Sequence, residues 1–153
     1  MSMLQAASED LARRLRIDAS YADGEATITL DGESILVSED KDFDRLVLWA
    51  TLALNTGRDL LTAAKISIDD NEQFADGRRA TLGVSQGAEC VILGRSIEID
   101  HLDSVRLLAE ARDFRAELLA TKTRFEAELV KARADAAEES EAFDAGHENY
   151  LRL

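Results

Sequence analysis

Asp40, Asp42 and Asp44 fall at alternate positions, the spacing with which a calcium loop begins to supply carboxylates. Such a loop needs glycine at its sixth position and a bidentate glutamate at its twelfth, and here those positions hold Arg45 and Thr51. The run therefore reads as a solvated turn. A second acidic group, Asp69, Asp70, Glu72 and Asp76, has no ligand spacing. The two histidines, His101 and His147, stand apart from each other and from the single Cys90, so neither a zinc site nor a Cys-His nucleophile has its parts. Gly83, Gly87 and Gly94 lie in or beside strand patterns rather than forming a phosphate loop. Carboxylate pairs are unavoidable among 31 acidic residues, and without a histidine or metal they designate no general acid or base. The expectation is a protein that is not an enzyme and uses no metal or cofactor.

The elements that carry these residues are bounded first by composition. At 153 residues the chain has the length of one domain with a sufficient core, assigned to 1–136, followed by an acidic, weakly patterned tail at 137–153 expected to be flexible. Cys90 sits in apolar company and reads as a core residue in a reducing compartment, so a cytoplasmic location is expected. Met1 to Leu15 has no continuous apolar stretch of the kind a signal peptide needs. The longest apolar run, Leu46 to Leu54, is about half the ~20 residues a membrane-spanning helix requires. A net charge of -13 repels phosphate backbones, so nucleic acid is a poor partner, and it helps keep a sticky surface soluble.

Along the chain, Leu4, Ala7, Leu11 and Leu15 recur at helical spacing. Ala22 to Glu25 breaks that pattern at Gly24. Ala26, Ile28 and Leu30 alternate with threonines and lead into Asp31-Gly32, a two-residue hairpin signal because both turn positions need positive φ. The return strand, Glu33 to Ser38, carries Ile35 and Val37 on one face and Leu36 on the other. Arg45 to Leu54 splits into Leu46, Leu48, Ala50 and Leu52 against Val47, Trp49 and Thr51, and periodicity alone allows a strand or a buried helix. Arg58 to Ile66 fits a short helix with Leu60, Leu61 and Ala64 on its apolar side.

The remainder is organised by Ala80 to Leu129. Ala80, Leu82 and Val84 alternate, and Ala88 to Arg95 is apolar on both parities. Asp100 is the expected cap of a long helix running from Leu102 to about Ala134, with Asp103 near its positive end. Leu107, Ala111, Phe114, Leu118, Thr121 and Phe125 form its inward stripe. Leu36, Val47, Trp49, Val91 and Leu93 all take the parity opposite the apparent core. Helices could cover them, or part of this second face could bind a partner.

Thr81-Leu-Gly-Val-Ser85, Gly87-Ala-Glu-Cys-Val-Ile-Leu-Gly-Arg-Ser-Ile97 and the leucine- and phenylalanine-rich helix after Leu102-Asp103 resemble the second half of the small acidic chaperones of bacterial type III secretion. The resemblance implies an α+β domain with a five-stranded antiparallel sheet in helix-strand-strand-strand-helix-strand-strand-helix order, a long C-terminal helix and homodimerisation. It also makes Arg45 to Leu54 a strand. It implies a non-catalytic chaperone that keeps an extended N-terminal segment of a secreted effector soluble, partly by strand addition. Carried onto this chain, Leu11, Leu15, Ile28, Leu36, Val47 and Trp49 become client-binding candidates. Leu60, Leu61, Ala64, Leu82 and Val84 become dimer-interface candidates. The alternative is a regulatory adaptor of the same fold that binds a folded partner.

Overall fold

A computed structural model describes residues 1–54, 62–68, 80–85, 87 and 90–150, of which 53, 54 and 144–150 are described by their backbone. The first helix, α1 (Met3–Arg14), starts where Ser2 accepts a hydrogen bond from the Gln5 amide at 3.0 Å. A second donor of its first turn, the Leu4 amide, reaches the Glu39 carboxylate at 2.8 Å, which places a negative group at the positive end of the helix. Arg13 and Arg14 occupy the last turn, the favourable end for cations.

Four strands follow: β1 (Asp18–Ala22), β2 (Glu25–Leu30), β3 (Glu33–Asp40) and β4 (Arg45–Leu54). The segment 45–54 is therefore a strand, as the resemblance implied. Residues 62–68 form a short helix, α2, which includes the C-terminal part of the helix expected at 58–66. Then come β5 (Ala80–Ser85), β6 (Cys90–Glu98) and a helix α3 (Ser104–Tyr150). The sheet has six strands in the order β1-β2-β3-β4-β6-β5, not five, and all neighbours are antiparallel.

The additional strand is β1. Its only inward residues are Ala19 and Tyr21, both half-buried, so its apolar alternation is faint. Asp23-Gly24 joins it to β2 with φ of +54° and +88°, nearly repeating Asp31-Gly32 at +48° and +87°. Both pairs are two-residue turns whose twist matches that of the flanking strands.

One face of the sheet carries the core. Ala26, Ile28, Ile35, Val37, Leu46 and Leu48 are fully buried there, joined by Val91 and Leu93 from β6. Val91 and Leu93 thus belong to the core face and not to the second face expected for them. Their partners show why: Leu93 lies opposite Ala50 and Leu82, while the intervening Ile92 and Gly94 lie opposite Thr51 and Trp49.

α1 and α3 lie on that core face. The inward stripe of α3 is buried as expected, from Leu107 through Ala111, Phe114, Leu118 and Thr121 to Phe125, with Leu129 added at 7% exposure. Its cap is Asp103 rather than Asp100: the Asp103 carboxylate accepts from the Arg106 amide at 2.7 Å. The helix also continues past Ala134 to Tyr150. At ~1.5 Å per residue its 47 residues extend about 70 Å, far beyond the sheet it covers.

Polar links also hold α3 in place, two of them in its first two turns. Ser104 donates to Asp10 of α1 at 2.7 Å, and Arg95 of β6, almost wholly buried, pairs with Glu110 at 2.9 Å. A buried arginine left without its carboxylate would be costly, so this pair fixes how the helix lies on the sheet.

Candidate functional site

The opposite face of the sheet is the candidate site. The strand registers place Ser20, Thr27, Leu36, Trp49, Gly94 and Thr81 side by side in one row that crosses all six strands. On one side of it runs the row Glu25, Ser38, Val47 and Ser96, and on the other Thr51, Ile92 and Gly83. Leu36, Val47, Trp49 and Ile92 are half-buried. No described helix packs over them, since the buried apolar residues of α1, α2 and α3 all join the cluster on the core face.

Among the described residues the centre of the face is open ground. A Cβ added at Gly94 would meet nothing within 4 Å, so the Trp49 ring does not close over its cross-strand neighbour. At Gly83 an added Cβ would touch Ile92 at 3.4 Å. Around the two glycines, Leu36, Val47, Trp49 and Ile92 therefore stand as apolar walls among serines and threonines. Such a surface offers apolar contact and hydroxyl hydrogen bonds, and no nucleophile.

The client-binding candidates divide. Leu36, Val47 and Trp49 come together here, as their shared parity predicts. Leu15 is 44% exposed at the end of α1, away from this face. Leu11 and Ile28 are at 0% exposure in the core between α1 and the sheet. Of the dimer-interface candidates, Leu82 is 6% exposed on the core face of the edge strand β5, Val84 is half-buried beside it, and Ala64 is half-buried on α2. Leu60 and Leu61 lie outside the described residues. Ile92 was missed by the sequence reading, and the signal that could have found it was the pair of in-strand glycines, which mark close or open backbone rather than core.

Among the described residues no group of three His, Cys, Asp or Glu side chains could hold a metal ion. Cys90 is buried, and His101 is 78% exposed with Asp103 at 3.8 Å. No helix among the described residues is long and apolar enough to cross a membrane. The Asp10 carboxylate is held below its ordinary pKa, chiefly by the hydrogen bond from Ser104, with Arg14 and Arg13 adding to it against the opposing effect of desolvation.

No protein-family model and no curated protein sequence matches the chain. Solved structures do match. A chain of the HopA1-SchA chaperone-effector complex is 19% identical with a TM-score of 0.54, the match covering 80% of this chain and 92% of that one. A chain of the ExoT-SpcS complex from Pseudomonas aeruginosa is 12% identical with a TM-score of 0.51, over 80% of this chain and 96% of that one. YbjN of E. coli, suggested to be a transcription regulator, is 10% identical with a TM-score of 0.51, over 84% and 90%. This chain therefore shares its fold with a chain of the HopA1-SchA chaperone-effector complex and a chain of the ExoT-SpcS complex, in keeping with the resemblance carried by its strand and helix motifs.

Proposed function

We propose that the chain is a non-catalytic chaperone that binds an extended, unfolded segment near the N-terminus of a secreted effector and keeps it competent for type III secretion. The observation that carries this is the apolar face around Leu36, Val47, Trp49 and Ile92, over which no described helix packs, on a fold shared with a chain of a chaperone-effector complex. An extended peptide matches such a face because its side chains alternate and can fill the ground between Trp49 and its neighbours. The free edge of β1 offers main-chain donors and acceptors for an added strand. Leu11 and Ile28 would reach a client only if α1 lifted, so the proposal rests on the outer-face residues and Leu15. The chaperone acts as a homodimer, with Val84 and Ala64 at or near the interface.

The test uses the N-terminal segment of a large secreted protein encoded beside this chain, titrated by calorimetry at two salt concentrations. Ordering such a segment must be offset by burying on the order of 1,000–3,000 Å², which gives a large negative heat-capacity change. Affinity should respond weakly to salt, because apolar and main-chain contacts dominate. Trp49→Asp should abolish binding while sedimentation still shows a dimer. The fold likeness to YbjN and the net charge of -13 favour the other reading, an adaptor that docks a folded partner through charge. A small heat-capacity change, strong salt dependence and indifference to Trp49→Asp would establish the adaptor instead.

A further inference from the structure

At the end of the sheet where α1 hands over to β1, a cleft of about 480 Å³ is lined by Arg16, Arg112 and Arg115 together with Asp18 and Asp31. Three arginines meet here in a chain whose net charge is -13. Their pairing is incomplete. Arg115 reaches Asp31 at 3.2 Å, but its Nε is buried with no hydrogen-bond partner. Among the described residues, Arg16 and Arg112 make no ion pair and no side-chain hydrogen bond.

The backbone adds an independent sign. Arg16 follows α1 at φ +55°, the left-handed position past a helix end that glycine occupies at least cost. An arginine held there keeps a positive side chain at the cleft in spite of the conformational penalty, and such strain concentrates where a side chain is needed. Asp18, the first residue of the edge strand β1, borders the same cleft, so a chain lying along that edge would pass over it.

We propose that this cleft receives the carboxylate of an acidic side chain on a bound extended peptide. Arg16 and Arg112 grip the oxygens, and Arg115, steadied by Asp31, supplies a third positive charge. Guanidinium forks suit this task because they present paired donors to a planar carboxylate. The surrounding negative charge repels acidic chains in general, so only a carboxylate set down in the cleft is rewarded. The proposal deepens the client-binding function and rests on it for the source of the peptide alone.

The test titrates the full chain, labelled for NMR, with blocked tetraglutamate, blocked tetraglutamine and inorganic phosphate at about 0.01 M salt, where screening is weak. Tetraglutamate should shift the arginine Nε–Hε signals saturably, and tetraglutamine should not. Arg112→Gln and Arg16→Gly should each weaken binding about tenfold, the order expected for one charge-assisted contact. Arg16→Gly should also leave thermal stability unchanged or raised, because glycine accepts the left-handed conformation. A role in capping α1 alone would leave peptide binding untouched by that variant. Equal tetraglutamate binding in both variants, or saturation by phosphate without response to tetraglutamate, overturns the proposal. Neither result touches the Trp49 dependence of client binding, so failure of the cleft and failure of the chaperone function are told apart.

Discussion

Leu48 and Trp49 are neighbours on β4 that point to opposite faces of the sheet, and aspartate at each position should give opposite outcomes. Leu48 is at 0% exposure, with Val37 and Arg95 as its cross-strand partners. Removing its side chain from the core costs about 2–5 kcal/mol. A carboxylate placed there is driven to its neutral form, and taking up that proton at neutral pH from an ordinary aspartate pKa adds about 4 kcal/mol, however far above 7 the pKa is raised. The sum, roughly 6–9 kcal/mol, is comparable to the whole stability of a domain, about 5–15 kcal/mol. Leu48→Asp should therefore be largely unfolded. Trp49 stands half-buried between Leu36 and Gly94, where an aspartate keeps its water. The loss is confined to one or two cross-strand contacts at about 0.2–1 kcal/mol each, so Trp49→Asp should stay folded. Urea unfolding followed by circular dichroism, at one fixed protein concentration because association adds to apparent stability, reads both. If Trp49→Asp collapses as Leu48→Asp does, something covers the outer face, and the argument that it is open to a client fails.

Two further outcomes follow from the ends of α3. Asp10 has a folded-state pKa below its unfolded value of 3.8, so the folded state binds fewer protons there and stability rises with pH through that interval. The stabilisation is present above pH 3.8 and lost as pH falls through the lower folded value; Ser104→Ala should thus be less stable than the parent at neutral pH, with the gap closing in acid denaturation profiles. Residues 133–143 of α3 are exposed throughout, so a chain ending at Ala136 should lose helical ellipticity yet keep its unfolding midpoint, its dimerisation and its client. Loss of the client by that shortened chain would make the distal helix a binding element.

The sequence was most legible where one face of an element is buried and the other is wet. The stripe from Leu107 to Phe125 and the alternation of Ala26, Ile28 and Leu30 both appear in the core as their spacing demands. β1 was not legible, because an edge strand with two half-buried inward residues produces almost no pattern. Its turn was visible in principle, since Asp23-Gly24 carries the same positive φ requirement as Asp31-Gly32. The cap of α3 was displaced by three residues because Asp100 and Asp103 are chemically equivalent in sequence. The Arg106 side chain, folded back onto the carbonyls of His101 and Glu98, ties down the turn that makes Asp103 the cap.

The candidate site was half legible for a related reason. On β4 the large residues of one parity and the aromatic of the other could be separated by counting, so Val47 and Trp49 were placed together correctly relative to Leu48. On β6 both parities are apolar, and counting cannot say which faces the helices. That choice is made by partners far away in sequence: Leu93 is drawn inward by Ala50 and Leu82, and Arg95, of the same parity, is drawn inward by Glu110. An arginine in a strand ordinarily signals the wet face, and here it marks the dry one. Its buried ion pair thus sets the orientation of β6, and with it leaves Ile92 and the open ground at Gly94 beside Trp49 for a partner to fill.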